Sequence, residues 1–282
     1  MNQQLTRPAL RYFGGKWKLG KWIISHFPNH DSYIEPFGGA ASVLLQKPRS
    51  RLETYNDLDS NVVNFFRVLR DRKDELAHQL NYTPYSREEY NLSTVATGDS
   101  LEDARRFFVA CWMAIGHSGA TGCRFQKSLK GRDTPPDKEF HELITGGHID
   151  RVASRFHGVQ IESDSYEGVI DRYDNKKALF YVDPPYPKST RTGNRYLCEL
   201  QTDNEHIGLA DKLTAVKGMV VLSGYDCELY QELYADWTHV TKRTLSNSGK
   251  SSIESLWLSP NISSELSIVA KQDHNDYSNL FT

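Results

Sequence analysis

Five consecutive apolar or aromatic residues, Ala178 to Val182 (A-L-F-Y-V), run straight into Asp183-Pro184-Pro185-Tyr186. A strand without polar alternation is one whose two faces are both covered, the situation of an inner strand in a parallel α/β sheet. The two prolines then block any continuation as helix or ladder, because each fixes its own φ and drives the residue before it out of the helical region. In an open α/β sheet, ligands lie outside the carboxyl ends of the strands. The chain thus carries a stiff, carboxylate-bearing turn where such a sheet binds. A turn that merely ends a strand is the competing reading.

The rest of the sequence supplies the sheet. Asp31–Phe37 reads as a strand stopped at Pro36 and Gly38-Gly39, and Ala40–Gln46 has helical composition. Arg51–Asn56 reads as a second strand ending at Asp57, and Ser60–Arg70 places apolar residues at helical spacing. From about Asp71 to Phe156 the alternation lapses into charged helical segments, notably Leu101–Ile115 with Phe107, Phe108, Cys111 and Ile115 on one face. The glycine-punctuated stretch Gly116–Pro136 suits a hairpin or extended loop. Alternation resumes with a strand at Gly158–Glu162, the run Ala178–Val182, a helix at Glu205–Val216 and a strand at Gly218–Ser223. Later strands are expected at His239–Leu245, Ser255–Leu258 and Leu266–Ala270. The fold class is therefore α/β: a doubly wound, Rossmann-like sheet in residues 1–58 and 157–282, interrupted over 59–156 by a mainly helical insertion containing the hairpin.

Composition narrows the setting. No apolar run approaches the ~18–20 residues that cross a bilayer, and the N-terminus lacks a secretory signal, so a cytoplasmic protein without a membrane partner is expected. Cys111, Cys123, Cys198 and Cys227 show no C-x-x-C pairing, which argues against a metal site or a disulfide framework. A net charge of −2 conceals three acid-free basic stretches. The first thirty residues carry Arg7, Arg11, Lys16, Lys18 and Lys21; Ser118–Arg132 carries Arg124, Lys127, Lys130 and Arg132; Pro187–Cys198 carries Lys188, Arg191 and Arg195. One such run is usually a solvated loop, whereas three beside the motifs below point to phosphate contact.

Glu35-Pro36-Phe37-Gly38-Gly39 places glycines after the first strand, where a backbone can approach a nucleotide-like ligand closely. The full G-x-G-x-x-G fingerprint and the P-loop are both absent. Asp57 follows at the end of the second strand, where a carboxylate receives ribose hydroxyls, a spacing that fits an adenosyl ligand without a pyrophosphate. Arg11-Tyr12-Phe13-Gly14-Gly15-Lys16 adds a glycine turn between aromatic and basic residues. An amino group on an aromatic base is a poor nucleophile because its lone pair is delocalised into the ring. If Asp183 and the Pro184 carbonyl accept its two hydrogens, that pair turns toward an electrophile, and Tyr186 can stack on a base that has left the duplex.

The order Y-F-G-G-K, E-P-F-G-G, N-D-L-D, a long insertion, then D-P-P-Y closely resembles the Dam-like family of adenine-specific DNA methyltransferases, over nearly the whole chain. The resemblance implies S-adenosylmethionine as methyl donor, the sheet as the fold that binds it, the insertion as a target-recognition domain, double-stranded DNA as partner and the N6 nitrogen of a flipped adenine as acceptor. It implies that Tyr12, Lys16, Asp57 and Asp183 line the cofactor pocket, that Glu35, Phe37 and Gly38 form its floor, and that Asp164 reaches the cofactor adenine. Asp183, Pro184 and Tyr186 become the catalytic group. Cys123-Arg124-Phe125 resembles the first strand of the family's DNA-facing hairpin, so Arg124, Gln126, Lys127, Lys130 and Arg132, with Lys188 and Arg191, are the candidate DNA contacts. His117-Ser118-Gly119-Ala120-Thr121 departs from the aromatic-amide pattern of the family's GATC readers, which leaves the recognised site open. So are oligomeric state, monomer or weak dimer, and biological role, restriction-modification among them. Among other functions, a cytosine amino methyltransferase more often has Ser where Asp183 stands, and a glutamine-amide methyltransferase of proteins has Asn. An RNA adenine target and a non-catalytic DNA-binding module also remain.

Overall fold

A computed structural model describes residues 5–115, 124–127, 134–186, 200, 202–245 and 251–262. The chain opens with α1 (Gly20–Ile24), β1 (Ser32–Glu35), β2 (Leu52–Asn56) and α2 (Ser60–Asp71). A helical stretch follows: α3 (Lys73–Asn81), α4 (Arg87–Leu92), α5 (Ser100–Trp112), α6 (Pro136–Thr145) and α7 (His148–Phe156), with the short strands β3 (Ala114–Ile115) and β4 (Arg124–Phe125) between α5 and α6. The remainder is β5 (Gln160–Glu162), α8 (Tyr166–Tyr173), β6 (Ala178–Val182), α9 (Asp203–Thr214), β7 (Met219–Gly224), α10 (Glu228–Leu233), β8 (Thr238–Leu245) and β9 (Ser251–Leu258).

Among the described residues the central sheet has seven strands in the order β5-β2-β1-β6-β7-β9-β8. The pairs from β5 to β7 are parallel, whereas β9 is antiparallel to both β7 and β8. The chain winds outward from β1 through β2 to β5 and then returns to place β6 on the other side of β1. That reversal opens a crevice at the carboxyl ends of β1 and β6, with Ser32 opposite Ala178 and Ile34 opposite Phe180. The sheet thereby brings Glu35 and Asp183 together from sequence positions far apart.

Every residue of β6 is buried, as its unbroken apolar pattern predicts. Leu179 and Tyr181 join one core with Tyr33, Phe66, Phe108 and Phe156, whereas Phe180 and Val182 join a second with Val169, Leu209 and Tyr230. Helices thus cover both faces. The first core continues into the helical stretch without a break: Tyr55 of β2, Phe66 of α2 and Phe156 of α7 are in mutual ring contact, Phe66 and Phe156 stacking at 4.2 Å. Asp59, Asp99 and Ser86 cap α2, α5 and α4 through their side chains, satisfying amides that each helix start leaves open.

Two local expectations fail for identifiable reasons. Ala40–Gln46 forms a series of tight turns rather than a regular helix, because Gly39 and Ala41 take left-handed φ values of 46° and 52° and the Glu35 carboxylate captures the Leu44 amide. The helix expected over Leu101–Ile115 ends at Trp112; Ala114 and Ile115 instead pair antiparallel with Phe125 and Arg124, leaving Ile115 53% exposed. In that ladder Arg124-Phe125 is the later strand, not the opening one. The strand expected at Leu266–Ala270, and His117–Thr121 with Cys123, lie outside the described residues. No helix among those residues is long and apolar enough to cross a membrane.

Candidate active site

A cavity of about 350 Å³ occupies the crevice between β1 and β6, walled by the segments that follow β1, β2, β5 and β6 and by Tyr12–Lys16. Its floor depends on glycine. The Gly38 amide donates to the Asn56 carbonyl at 2.7 Å, and a Cβ at Gly38 would lie 2.2 Å from the Tyr55 ring. Asn56 holds the strand ends in register: its amide nitrogen donates to the carbonyls of Pro36 and Asp164, while its oxygen accepts from the Asp164 amide.

Asp57 stands at the carboxyl end of β2, accepting from the amides of Gly39 at 2.7 Å and Asp59 at 2.8 Å. Burial pushes its pKa up to about 6 against the opposing pull of these amides. Asp59 caps α2 and accepts the Tyr12 hydroxyl at 2.7 Å, which places the Tyr12 ring over Gly39. Glu35, 2% exposed, accepts from the Tyr33 hydroxyl and the Leu44 amide through one oxygen. Burial raises its pKa to about 7 despite those bonds.

Tyr12–Lys16 is delivered by an N-terminal segment strapped to the helices. Arg7 and Arg11 both pair with Glu139 of α6, the Trp112 indole donates to the Ala9 carbonyl, and His148 contacts the Pro8 carbonyl. Three of the five basic residues expected to meet phosphates are therefore engaged within the protein: Arg7 and Arg11 here, and Lys16 with Asp183. Lys18 and Lys21 are exposed.

The Lys16 ammonium sits 2.9 Å from Asp183 Oδ1 and 4.7 Å from the centroid of the Tyr186 ring. The Tyr186 hydroxyl lies 3.2 Å from both Asp183 Oδ1 and Ser223 Oγ, and the ring meets Tyr225 edge-on at 4.6 Å. Burial holds the Asp183 carboxyl above the usual carboxylate range, with the Lys16 charge and the bonds from Lys16, Tyr186 and Ser223 opposing. Pro184 and Pro185 are buried, so the turn is locked by packing as well as by its own rings. Asp183 stands at the boundary between the cavity on the β1–β2 side and the Tyr186–Tyr225–Ser223 wall on the β7 side.

Tyr12, Lys16, Glu35, Phe37, Gly38, Asp57 and Asp183 all line the cavity. Asp164 does not: its carboxylate pairs with Arg172 at 2.8 Å, and the wall there is made by Ser165, Tyr166 and Glu167, with Tyr166 against Phe37 at 5.3 Å. Arg124 and Lys127 are exposed, whereas Gln126 is 5% exposed and enclosed where its backbone bonds Met113 and Tyr85, so it is not a surface contact in this structure. Lys130, Arg132, Lys188 and Arg191 lie outside the described residues. Sequence reasoning quotes Asn56 and Asp59 within N-D-L-D without giving either a role, and misses Tyr166, Ser223 and Tyr225; Asp59 carries a further local signal, an Asp before the apolar spacing of α2.

The family model described as D12 class N6 adenine-specific DNA methyltransferase matches residues 12–247, from the Tyr12 of the cavity to just beyond β8. The chain belongs to this family. It is 26% identical over 263 residues to a DNA adenine methylase of Salmonella typhi, covering 86% of this chain and 91% of that protein. A DNA adenine methylase of Escherichia coli (strain K12) is also 26% identical, over 267 residues with the same coverage. One of Serratia marcescens is 25% identical over 276 residues, covering 89% of this chain and 97% of that one.

The raised Glu35 pKa gives the methyltransferase a testable pH signature. Between the ordinary carboxylate value and about 7, folded Glu35 retains a proton that the unfolded chain has released, so stability falls as pH rises through that window. The total is about 3–4 kcal/mol at roughly 1.4 kcal/mol per pKa unit. Glu35→Gln keeps an oxygen to accept from Tyr33 and Leu44 but cannot ionise. Thermal midpoints of the ligand-free protein are expected to decline more steeply between about pH 5 and 8 for the wild type than for Glu35→Gln. Parallel profiles would contradict the buried-carboxylate argument.

Proposed function

We propose that this D12 class enzyme transfers the methyl group of S-adenosylmethionine to N6 of an adenine flipped out of duplex DNA. The observation that carries the reading is the position of Asp183, a carboxylate at the end of β6 shared between an acid-lined cavity and an aromatic wall. Among the described residues six carboxyl groups and one ammonium line the cavity, an acidic, hydrogen-bond-accepting surround suited to a ligand bearing sulfonium and ammonium charges. The buried Tyr181 hydroxyl and Ser42 Oγ, on residues lining the cavity, have no hydrogen-bond partner among the described residues, as expected of groups that a polar ligand satisfies.

Tyr12, Lys16, Glu35, Phe37 and Gly38 would hold the cofactor with Asp57, whose carboxylate suits ribose hydroxyls. When bound, S-adenosylmethionine supplies the methyl group as an electrophilic sulfonium. The chain does the rest. Asp183 and the Pro184 carbonyl accept the amino hydrogens and turn the lone pair of N6 out of conjugation; Tyr186 offers a ring to an extrahelical base. Lys16 keeps Asp183 ionised against its burial, so Asp183 remains an acceptor until N6 releases its proton.

The helical region over 59–156 serves as the DNA-recognition part in this proposal, with exposed Arg124 and Lys127 beside the β3–β4 ladder as phosphate or base contacts. Arg124→Ala is expected to weaken duplex binding by roughly 5- to 100-fold, an effect of ~1–3 kcal/mol if Arg124 meets a guanine edge, and to relax preference at one position. Binding titrations across salt concentrations check it; unchanged affinity, salt slope and preference would remove Arg124 from the interface. The function itself is tested by incubating the protein with labelled S-adenosylmethionine and duplex DNA and identifying the modified nucleoside. Label in N6-methyladenine supports the proposal, label confined to cytosine overturns the assigned base, and cofactor binding without transfer overturns catalysis.

A further inference from the structure

Sheet register places one more ionisable group beside the catalytic turn. Leu179 pairs with Met219 and Tyr181 with Val221, so the next residues on that face are Asp183 of the turn and Ser223 of β7. On the other side of β7, Ser223 pairs with Leu256 and Gly224 with Ser255, which sets Glu254 of β9 beside Tyr225. Tyr181, Val221 and Leu256 all belong to the first core. Asp183, Tyr225 and Glu254 thus share one face of the sheet at its ligand edge, Asp183 and Glu254 on strands separated only by β7, about 10 Å apart at ~4.8 Å per strand. The exocyclic amine of a base and the ring nitrogen beside it can be reached by an Asp and a Glu side chain rising from the same face of strands that far apart. Glu254 Oε2 is buried and has no hydrogen-bond partner among the described residues.

We propose that Glu254 is a base-binding residue of the target chamber, its Oε2 carrying a proton that it donates to the ring nitrogen next to the exocyclic amine, N1 of adenine. The inference rests on the adenine methyltransferase function proposed above and extends it to the ring nitrogen beside the methylated amine. Once Asp183 and the Pro184 carbonyl take the two amino hydrogens, the neighbouring polar atom of that edge is N1, an acceptor with no hydrogen of its own. An ionised carboxylate would repel it, whereas a carboxylic acid matches it. The surroundings favour the acid. Burial raises the Glu254 pKa and the Asp183 charge adds to this, while Lys16 opposes. Tyr225, the neighbour on β7, keeps its phenolic proton because burial raises its pKa. Lys242, directly opposite on β8, is exposed and has its ammonium 5.7 Å from the Trp22 ring centroid. A buried carboxyl oxygen with no partner among the described residues is placed to donate to an incoming acceptor.

The test uses the full-length enzyme with S-adenosylmethionine and duplexes carrying either adenine or 1-deazaadenine, in which N1 is replaced by C–H, at the methylated position. Single-turnover rates are measured for the wild type, Glu254→Gln and Glu254→Ala. The wild type is expected to methylate the deaza duplex roughly 10- to 100-fold more slowly than the adenine duplex, the effect of leaving one buried donor without its acceptor. Glu254→Ala is expected to be slow on both duplexes and to discriminate between them less than about threefold. Glu254→Gln, which retains an N–H donor and cannot ionise, is expected to keep most of the activity and the discrimination while losing the alkaline limb of the pH–rate profile. Discrimination of wild-type size by Glu254→Ala, or an alkaline limb unchanged in Glu254→Gln, overturns this inference while leaving adenine methylation intact. Absence of methyladenine with the wild type overturns both.

Discussion

Asp183→Ala is expected to lower single-turnover methyl transfer by about three orders of magnitude or more, the scale at which removing a group aimed at developing charge acts. The carboxylate serves two neighbours at once. In the proposed mechanism it accepts from the amine it activates, and in the structure it pairs with Lys16, whose side chain is only 9% exposed and 2.9 Å away. Alanine removes both functions and leaves a buried ammonium without its anion, so part of the loss with this variant reflects a disturbed site. Asp183→Asn separates the two. The amide preserves shape and offers one acceptor oxygen but carries no charge, and a loss of roughly 100- to 1000-fold with a thermal midpoint close to the wild type is expected. The pH profile supplies an independent sign. The ionised form is the working one, and burial holds the Asp183 pKa above the usual carboxylate range, so wild-type activity is expected to fall in acid at a higher pH than an exposed aspartate would dictate. Turnover at the wild-type rate by Asp183→Ala would falsify the amine-positioning mechanism. Calorimetric titration with S-adenosylmethionine shows whether either variant still binds the cofactor.

The feature that predicts this experiment is also the one most legible in the sequence. Burial on both faces of β6 leaves an apolar run that no exposed strand or loop has reason to carry, and two prolines after it announce where the strand must stop. The cavity residues Glu35, Gly38 and Asp57 are readable for a similar reason, since each ends or closely follows a strand at the ligand edge and ligand position follows from topology. What failed was local composition opposed by a tertiary contact. Ala40–Gln46 has the residues of a helix, but two left-handed φ values and the Glu35 carboxylate impose turns. Asp164 does stand just past a strand end, but its carboxylate pairs with Arg172 of α8 and Asp164 is not among the residues lining the cavity. Ser223, Tyr225 and Glu254 gave no local signal, because their meaning lies in a register between strands that are not consecutive in sequence. Gln126 shows the same limit: its neighbours Arg124 and Lys127 are exposed, and only the packing of the helical region turns it inward.

A second large effect is expected away from the chemistry, at the buried charge cluster beneath Glu35. Glu53 is 4% exposed and accepts from Lys47 at 2.7 Å, from both terminal nitrogens of Arg155 at 2.6 and 2.8 Å, and from the Ser50 amide. Burial alone would raise its pKa, but the bonds from Arg155 and Lys47 outweigh it and the net shift is downward. Glu53→Ala strands both cations inside the fold, and breaking a buried pair in this way costs about 3–5 kcal/mol. A domain has only about 5–15 kcal/mol in total, so a large drop in the denaturation midpoint is expected. The pH dependence has the opposite sign to that of Glu35. A depressed folded pKa gives stability that is present above the unfolded carboxylate value and lost as pH falls, so the difference between wild type and Glu53→Ala should shrink in acid. The cluster also bears on the site: the Lys47 ammonium lies 4.3 Å from the Tyr33 ring centroid, and the Tyr33 hydroxyl holds Glu35 at the cavity floor. Replacing all three charges together, as Lys47→Met, Glu53→Leu and Arg155→Met, removes the stranded cations and is expected to recover most of the lost stability. Chemical denaturation of the single and triple variants tests this: a triple variant no more stable than Glu53→Ala would show that packing, and not uncompensated charge, is what the single substitution disturbs.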